Sequence, residues 1–223
     1  MTVEDVTRAL DAAREELSAA AAAALSAKRG DGGWTRYQTA HDKCISLERD
    51  LARATGEECA VEIPWQHPWN VGAPLPHVFS SGSRTLVVYN MREPDPAWDG
   101  SYATVVDPTS ADLRLIAIVE FERCLAHKLG PPNDEVLHGH PLHGRGLVGY
   151  AAHVVERSRW IAELMKINSV HSQYNPEEWK QYRHYLLAFH DETFECIARS
   201  HSLKQTMSSF PEALDLCTKR ILA

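Results

Sequence analysis

No stretch of this 223-residue chain approaches the run of about 20 apolar residues that a helix needs to cross a bilayer. The first residues, Met-Thr-Val-Glu-Asp, lack the basic start and apolar core of a secretory signal, so export is not expected. The five cysteines, Cys44, Cys59, Cys124, Cys196 and Cys217, lie far apart and form no C-x-x-C pair. That spacing excludes zinc-finger and dithiol chemistry and, with the odd count, fits a reducing cytoplasm. Basic residues are in the minority, 23 Lys and Arg against 30 Asp and Glu, for a formal charge of −7. Phosphate backbones need clustered cations, so nucleic acid is excluded as a partner and a small neutral or cationic substrate suits the chain better. There is also no P-loop, dinucleotide fingerprint, nucleophile elbow or internal repeat, which removes several large enzyme classes.

What the chain has in excess is histidine: 12 residues, with His138, His140 and His143 inside six positions. Length and an ordinary hydrophobic fraction of 44% predict one α+β domain over residues 1–223, made of a helical hairpin over 1–56 and an α+β body over 57–223. Val3, Val6, Leu10, Ala13, Leu17, Ala21 and Leu25 recur at helical spacing and predict a helix from Thr2 to Lys28. Lys28 and Arg29 suit its C-terminal end, and Gly30, Gly32 and Gly33 break it before a second helix over Tyr37–Ala54. The hairpin offers a structural lid or a homodimer surface. Four prolines between Pro64 and Pro76 predict an ordered loop whose Trp65 and Trp69 pack over a core edge.

Short β-rich runs at Val78–Ser80, Thr85–Asn90, Tyr102–Val106 and Leu113–Phe121 predict an antiparallel meander, the last run central because it is apolar on both faces. Phe121–Leu129 reads as helical. Leu147–Val155 reads as a strand and Arg159–Ile167 as a helix. Asn175-Pro-Glu-Glu carries a helix start, with Asn175 as cap and Glu178 completing a capping box, and that helix is expected to reach His184. Tyr185–Ala198 has strand composition, and a final helix starts near Ser209.

Two segments carry the chemistry. The first, Asn133-Asp-Glu-Val-Leu-His-Gly-His-Pro-Leu-His-Gly-Arg-Gly, holds carboxylates, imidazoles and an arginine among glycines. In extended backbone His138 and His140 share a face and can offer two nitrogens to one metal. The second is Phe189-His-Asp-Glu-Thr-Phe-Glu-Cys. Read as a strand, it sets His190, Glu192 and Cys196 on one face and Asp191, Thr193 and Glu195 on the other. So many titratable groups are costly in a sheet interior unless they bind an ion, pair or face a cavity.

Together these could supply a facial set of two histidines and one carboxylate, with His138, His140 and Glu192 or His190 as the candidate metal ligands. Fe(II) or zinc suits such a set, with Asp191, Glu195 or Glu135 as catalytic carboxylates. Asn133, Arg145 and His171 are substrate-binding candidates, although a Gly-Arg-Gly corner or a turn after a helix carries the same residues for structural reasons. Cys196 reads as inert packing in an apolar strand more than as a nucleophile.

Pro132-Asn-Asp-Glu, His138-Gly-His-Pro-Leu, Gly146-Leu, Asn168-Ser-Val-His and Phe189-His-Asp-Glu-Thr-Phe-Glu-Cys together resemble an uncharacterised bacterial protein family over the C-terminal half. The resemblance implies shared descent and transfers no activity. Three functions follow from the residues: a metal-dependent enzyme on a small polar or heteroaromatic molecule, with an iron oxygenase ahead of a zinc hydrolase; a metal-free acid–base enzyme in which His190 and Glu192 or Glu195 move protons while Asn133 and Arg145 orient the substrate; and a non-catalytic binding protein.

Overall fold

The computed structural model describes residues 2–27, 32–82, 84–93 and 106–222. The chain is α+β, and its contacts divide it into two compact units: 1–61 with 141–147 and 155–158, and 62–140 with 148–154 and 159–223.

The first unit is built on α1 (Val3–Ser26) and α2 (Gly33–Thr55), which pack against each other. Thr2 opens α1 with a capping box: its hydroxyl accepts from Asp5 N and the Asp5 carboxylate accepts from Thr2 N, pairing donors that a helix start leaves orphaned. Val6, Leu10 and Ala13 of α1 and Ala40, Cys44 and Ala52 of α2 are buried. Small residues at these positions allow close approach of the two backbones. Lys43 and Glu16 pair across the hairpin at 2.7 Å. Gly56, left-handed at φ 77°, ends α2. The predicted pair of helices is present, and α2 starts four residues before the expected Tyr37. Lys28, Arg29 and Gly30 lie outside the described residues.

The second unit is two antiparallel sheets enclosing one apolar core, with a helix on one outer face. One sheet has the order β2 (His77–Ser81), β3 (Arg84–Asn90), β4 (Arg114–Glu122), β9 (Ser200–Ser208). The other includes β6 (Ala152–Glu156), β7 (Arg183–Ala188), β8 (Thr193–Ala198) and β5 (Ala126–Gly130) in that order, with β1 (Cys59–Glu62) outside β6. The division between units falls along β1 and β6: Cys59–Val61 and Val155–Glu156 belong to the first, Glu62 and Ala152–Val154 to the second.

Strand alternation sorts the side chains. Val87, Tyr89, Ala117, Val119 and Phe121 of the first sheet meet Tyr185, Leu187, Phe194, Cys196 and Ala198 of the second. The Phe121 ring lies 5.4 Å from both Tyr185 and Phe194, in the tilted geometry that aromatic quadrupoles favour. The alternate residues Leu86, Val88, Ile116 and Ile118 point the other way, onto Phe210, Ala213 and Cys217 of α5 (Phe210–Leu222). A central strand buried on both faces explains the uninterrupted apolar run at β4.

The proline-rich loop closes the core as expected of packing residues: Trp69 is buried against Tyr89 and Phe189. Trp65 Nε1 donates to the Tyr89 hydroxyl at 2.8 Å, and that hydroxyl donates to His67 O at 2.7 Å. Tyr89→Phe leaves the Trp65 N–H and the His67 carbonyl without this partner in a partly buried place and is expected to lower stability by about 1 kcal/mol, read from the urea midpoint.

Several local expectations are corrected. Phe121–Leu129 is not helical: β4 continues to Glu122, Arg123 turns at φ 52°, and β5 follows. The strand predicted over Leu147–Val155 begins only at Ala152, after the positive-φ residue Tyr150. The helix capped by Asn175 is one turn, α4 (Pro176–Trp179), and does not reach His184, because β7 recruits Arg183 onward. Here tertiary pairing overrides a local start signal. α3 (Arg159–Asn168) and α5 form where predicted. Of the strand expected at Tyr102–Val106, residues 102–105 lie outside the described residues and Val106 is not in a strand.

Candidate functional site

Two titratable clusters lie within the second unit, built largely from residues of Asn133–Cys196. The first sits at the β7–β8 turn. His190, Asp191 and Glu192 were expected on strand faces, but β7 ends at Ala188 and β8 begins at Thr193, so all three lie in the hairpin connection. A tight bond from Phe189 N to Glu192 O, at 3.0 Å, makes the turn. The loop after β5 is tied to it: Thr193 Oγ1 donates to Pro132 O at 2.9 Å and Asp134 N donates to His190 O at 2.9 Å.

These ties bring Asp134 to His190. The imidazole Nδ1 lies 3.5 Å from Asp134 Oδ1 and 3.3 Å from Asp191 Oδ1. Neither His190 Nδ1 nor Asp134 Oδ1 has a hydrogen bond among the described residues, although both atoms are buried. The other oxygen of Asp134 accepts from the Tyr150 hydroxyl. Tyr150 holds a left-handed backbone at φ 59°, a costly conformation for an aromatic residue. That hydrogen bond, ahead of the nearby His190, holds the Asp134 carboxyl below its ordinary value. Partial burial, and then the bond to Asp134, push the Tyr150 hydroxyl up to about 12. Asp134 is therefore an anion at neutral pH, facing an imidazole.

The second cluster lies on the face of β7–β8–β5 turned away from the core. Lys128 and Leu186 both register with Glu195, so all three share that face. Glu195 is 4% exposed. His184 Nε2 approaches its Oε2 at 2.7 Å, Lys128 Nζ its Oε1 at 2.8 Å, and His140 Nε2 its Oε1 at 3.4 Å. Burial pushes this carboxyl up, but the hydrogen bonds from His140, His184 and Lys128 outweigh it and hold the group well below the usual carboxylate range. Trp160 of α3 completes the cluster, its ring 5.2 Å below the Lys128 ammonium and edge-on to His184 at 5.3 Å.

The predicted ligands thus separate. His140 joins Glu195, and His190 joins Asp134 and Asp191. His138 is exposed on a short 3₁₀ turn, Leu137–Gly139, and Glu192 is half-buried. The described residues contain no group of three or more His, Cys, Asp or Glu placed to hold one metal ion. Asn133 caps its own turn, accepting from Val136 N at 3.3 Å, and Glu135 is exposed beside it. His171 is exposed in the turn after α3, where its Nδ1 accepts from Gln173 N. Arg145 belongs to the first unit and donates to Glu57 at 3.0 Å. Cys196 is enclosed in the sandwich, where burial drives its thiol far above its ordinary value and leaves it unreactive.

Tyr150, His184, Lys128 and Trp160 were not among the predicted site residues. His184 was hidden by the helix expected to run up to it, whereas strand pairing sets it opposite Ile197, two residues from Glu195 and on the same face. Tyr150 carried no signal in sequence, since its role comes from a loop meeting another loop. No protein-family model, no curated protein and no solved structure matches this chain.

Proposed function

We propose that the chain is an acid–base enzyme acting on a small polar molecule, with His190 as the group that takes and returns the proton. One observation carries this reading: His190 Nδ1 faces the ionised Asp134, two buried polar atoms 3.5 Å apart and without a hydrogen bond, while Nε2 has no partner among the described residues. Buried polar atoms are nearly always satisfied, and exceptions concentrate where function requires them. The carboxylates at Nδ1 favour the tautomer with its proton there, which leaves the Nε2 lone pair as the base. After proton capture, Asp134 and Asp191 stabilise the imidazolium. Tyr150 keeps Asp134 charged through that step. The long apo contact tightens when a substrate orders the ring.

The expected result is catalysed exchange or hydrolysis that depends on His190. Wild type and His190→Ala are compared by proton NMR in D₂O, following deuterium uptake and cleavage in a panel of small carbonyl acids, amides and esters. Turnover that falls by roughly 10²–10⁴-fold in the variant, the usual range for loss of a general base, supports the reading. Turnover that is indifferent to His190, or absent across the panel, overturns it.

A further inference from the structure

The first unit holds a cleft that the proposed chemistry does not use. Its volume is about 540 Å³, inside the range typical of small-ligand sites. Leu51 and Ala52 of α2 give it an apolar floor, and Arg14, Glu48, Glu57 and Arg145 give it charge of both signs. The Arg145 side chain is 24% exposed, and its guanidinium makes one hydrogen bond among the described residues, from Nη2 to Glu57. Its donors on Nε and Nη1 have no acceptor among the described residues, in a group with five N–H donors. Arg14 makes loose contacts with Glu48 and Asp11, each at 3.8 Å.

The loop that carries Arg145 is fixed in advance. Arg145 N donates to Leu142 O at 3.0 Å, and Arg145 O accepts from Ala60 N at 2.9 Å. The next residue, Gly146, donates to Glu48 Oε2 at 3.2 Å and accepts from Arg49 Nη2 at 3.2 Å. Arg49 Nε binds Ala60 O at 2.9 Å, closing the ring of bonds. A guanidinium carried on so firmly tied a loop, with most of its donors unfilled, is placed to receive an oxyanion at reduced entropic cost.

We propose that this cleft binds a small zwitterion. Its carboxylate takes the open donors of Arg145 with support from Arg14, and its ammonium meets Glu57 and Glu48. The two glutamates disfavour a free dianion, and the two arginines disfavour a simple cation, so only a ligand with both charges satisfies the lining.

Isothermal titration calorimetry on the full chain tests this with glycine and 4-aminobutyrate as zwitterions, and acetate, inorganic phosphate and methylammonium as single-charge controls. At least one amino-carboxylate is expected to bind saturably and more tightly than every control. Arg145→Gln is expected to weaken it roughly tenfold or more, as for loss of a charged hydrogen bond, with an unchanged far-UV circular dichroism spectrum. The proposal is overturned if neither amino-carboxylate binds, if acetate or phosphate binds as well, or if Arg145→Gln leaves the affinity intact. Should Arg145→Gln fail to fold, Arg14→Gln replaces it, its side chain being half-exposed, and unchanged affinity in that variant is equally decisive.

Discussion

Glu195→Ala is expected to lower stability by about 3–5 kcal/mol, the range for removing one partner from a buried ionic cluster. Three groups converge on this carboxylate, His140, His184 and Lys128, and alanine leaves two enclosed imidazoles and an ammonium without their common acceptor. Lys128 is 59% exposed and can turn to water, so most of the loss comes from the histidines. Glu195→Gln keeps the shape and some hydrogen bonding, and its effect should be smaller. Thermal unfolding at pH 7 ranks the three proteins; equal melting temperatures for wild type and Glu195→Ala would refute the energetic role.

The same group makes a pH prediction. Its folded pKa lies below the ordinary 4.5, so its contribution is complete above that value and is lost as pH falls through it toward the lower folded pKa. Wild type should lose stability below about pH 4.5, and Glu195→Gln should flatten that part of the profile. Urea midpoints measured between pH 3 and pH 7 check both statements.

Gly146→Ala is the second large effect. Gly146 has φ +88°, which side-chain-bearing residues rarely adopt, and a Cβ there would lie 2.5 Å from Ala60 O and 2.6 Å from Arg49 Cγ. Arg49 can give way only by releasing its bonds to Ala60 O and Gly146 O, and the backbone oxygen cannot move without disturbing β1. Left-handed strain of about 1–2 kcal/mol and overpacking of about 1–3 kcal/mol add to roughly 3 kcal/mol. Gly144→Ala is the control: its φ is +72° but nothing lies within 4 Å of the added carbon, so only the conformational part should appear. A drop in melting temperature for Gly146→Ala no greater than for Gly144→Ala would mean that the close approach carries no weight.

Periodic segments were legible in the sequence. The α1–α2 spacing, the two-faced apolar run of β4 and the Ser209 helix start all depend on residues within a turn or a strand of one another. The meander was legible for the same reason. Short elements with mixed signals were not: Asn175-Pro-Glu-Glu is a sound helix start, yet strand pairing takes over four residues after it ends. Reading Tyr185–Ala198 as one strand placed His190 and Glu192 on its faces, when they lie in the turn between β7 and β8. The candidate residues were named as one region, and the structure sorts them into two clusters, because side chains such as Tyr150 and Asp134, or His140 and Glu195, meet only through loop closure. Local periodicity holds no record of such meetings. His140 and Glu195, 55 positions apart, were both named, but in different roles.

The position of α5 in chain order has a consequence for how the molecule is made. Leu86, Val88, Ile116 and Ile118 form an adhesive stripe on adjacent strands until Phe210, Ala213 and Cys217 cover it, and every one of those strands leaves the ribosome before α5 does. A nascent or prematurely stopped chain therefore displays bare aliphatic strand surface of the kind that drives aggregation. Chaperone demand during synthesis should depend on how soon that final helix arrives.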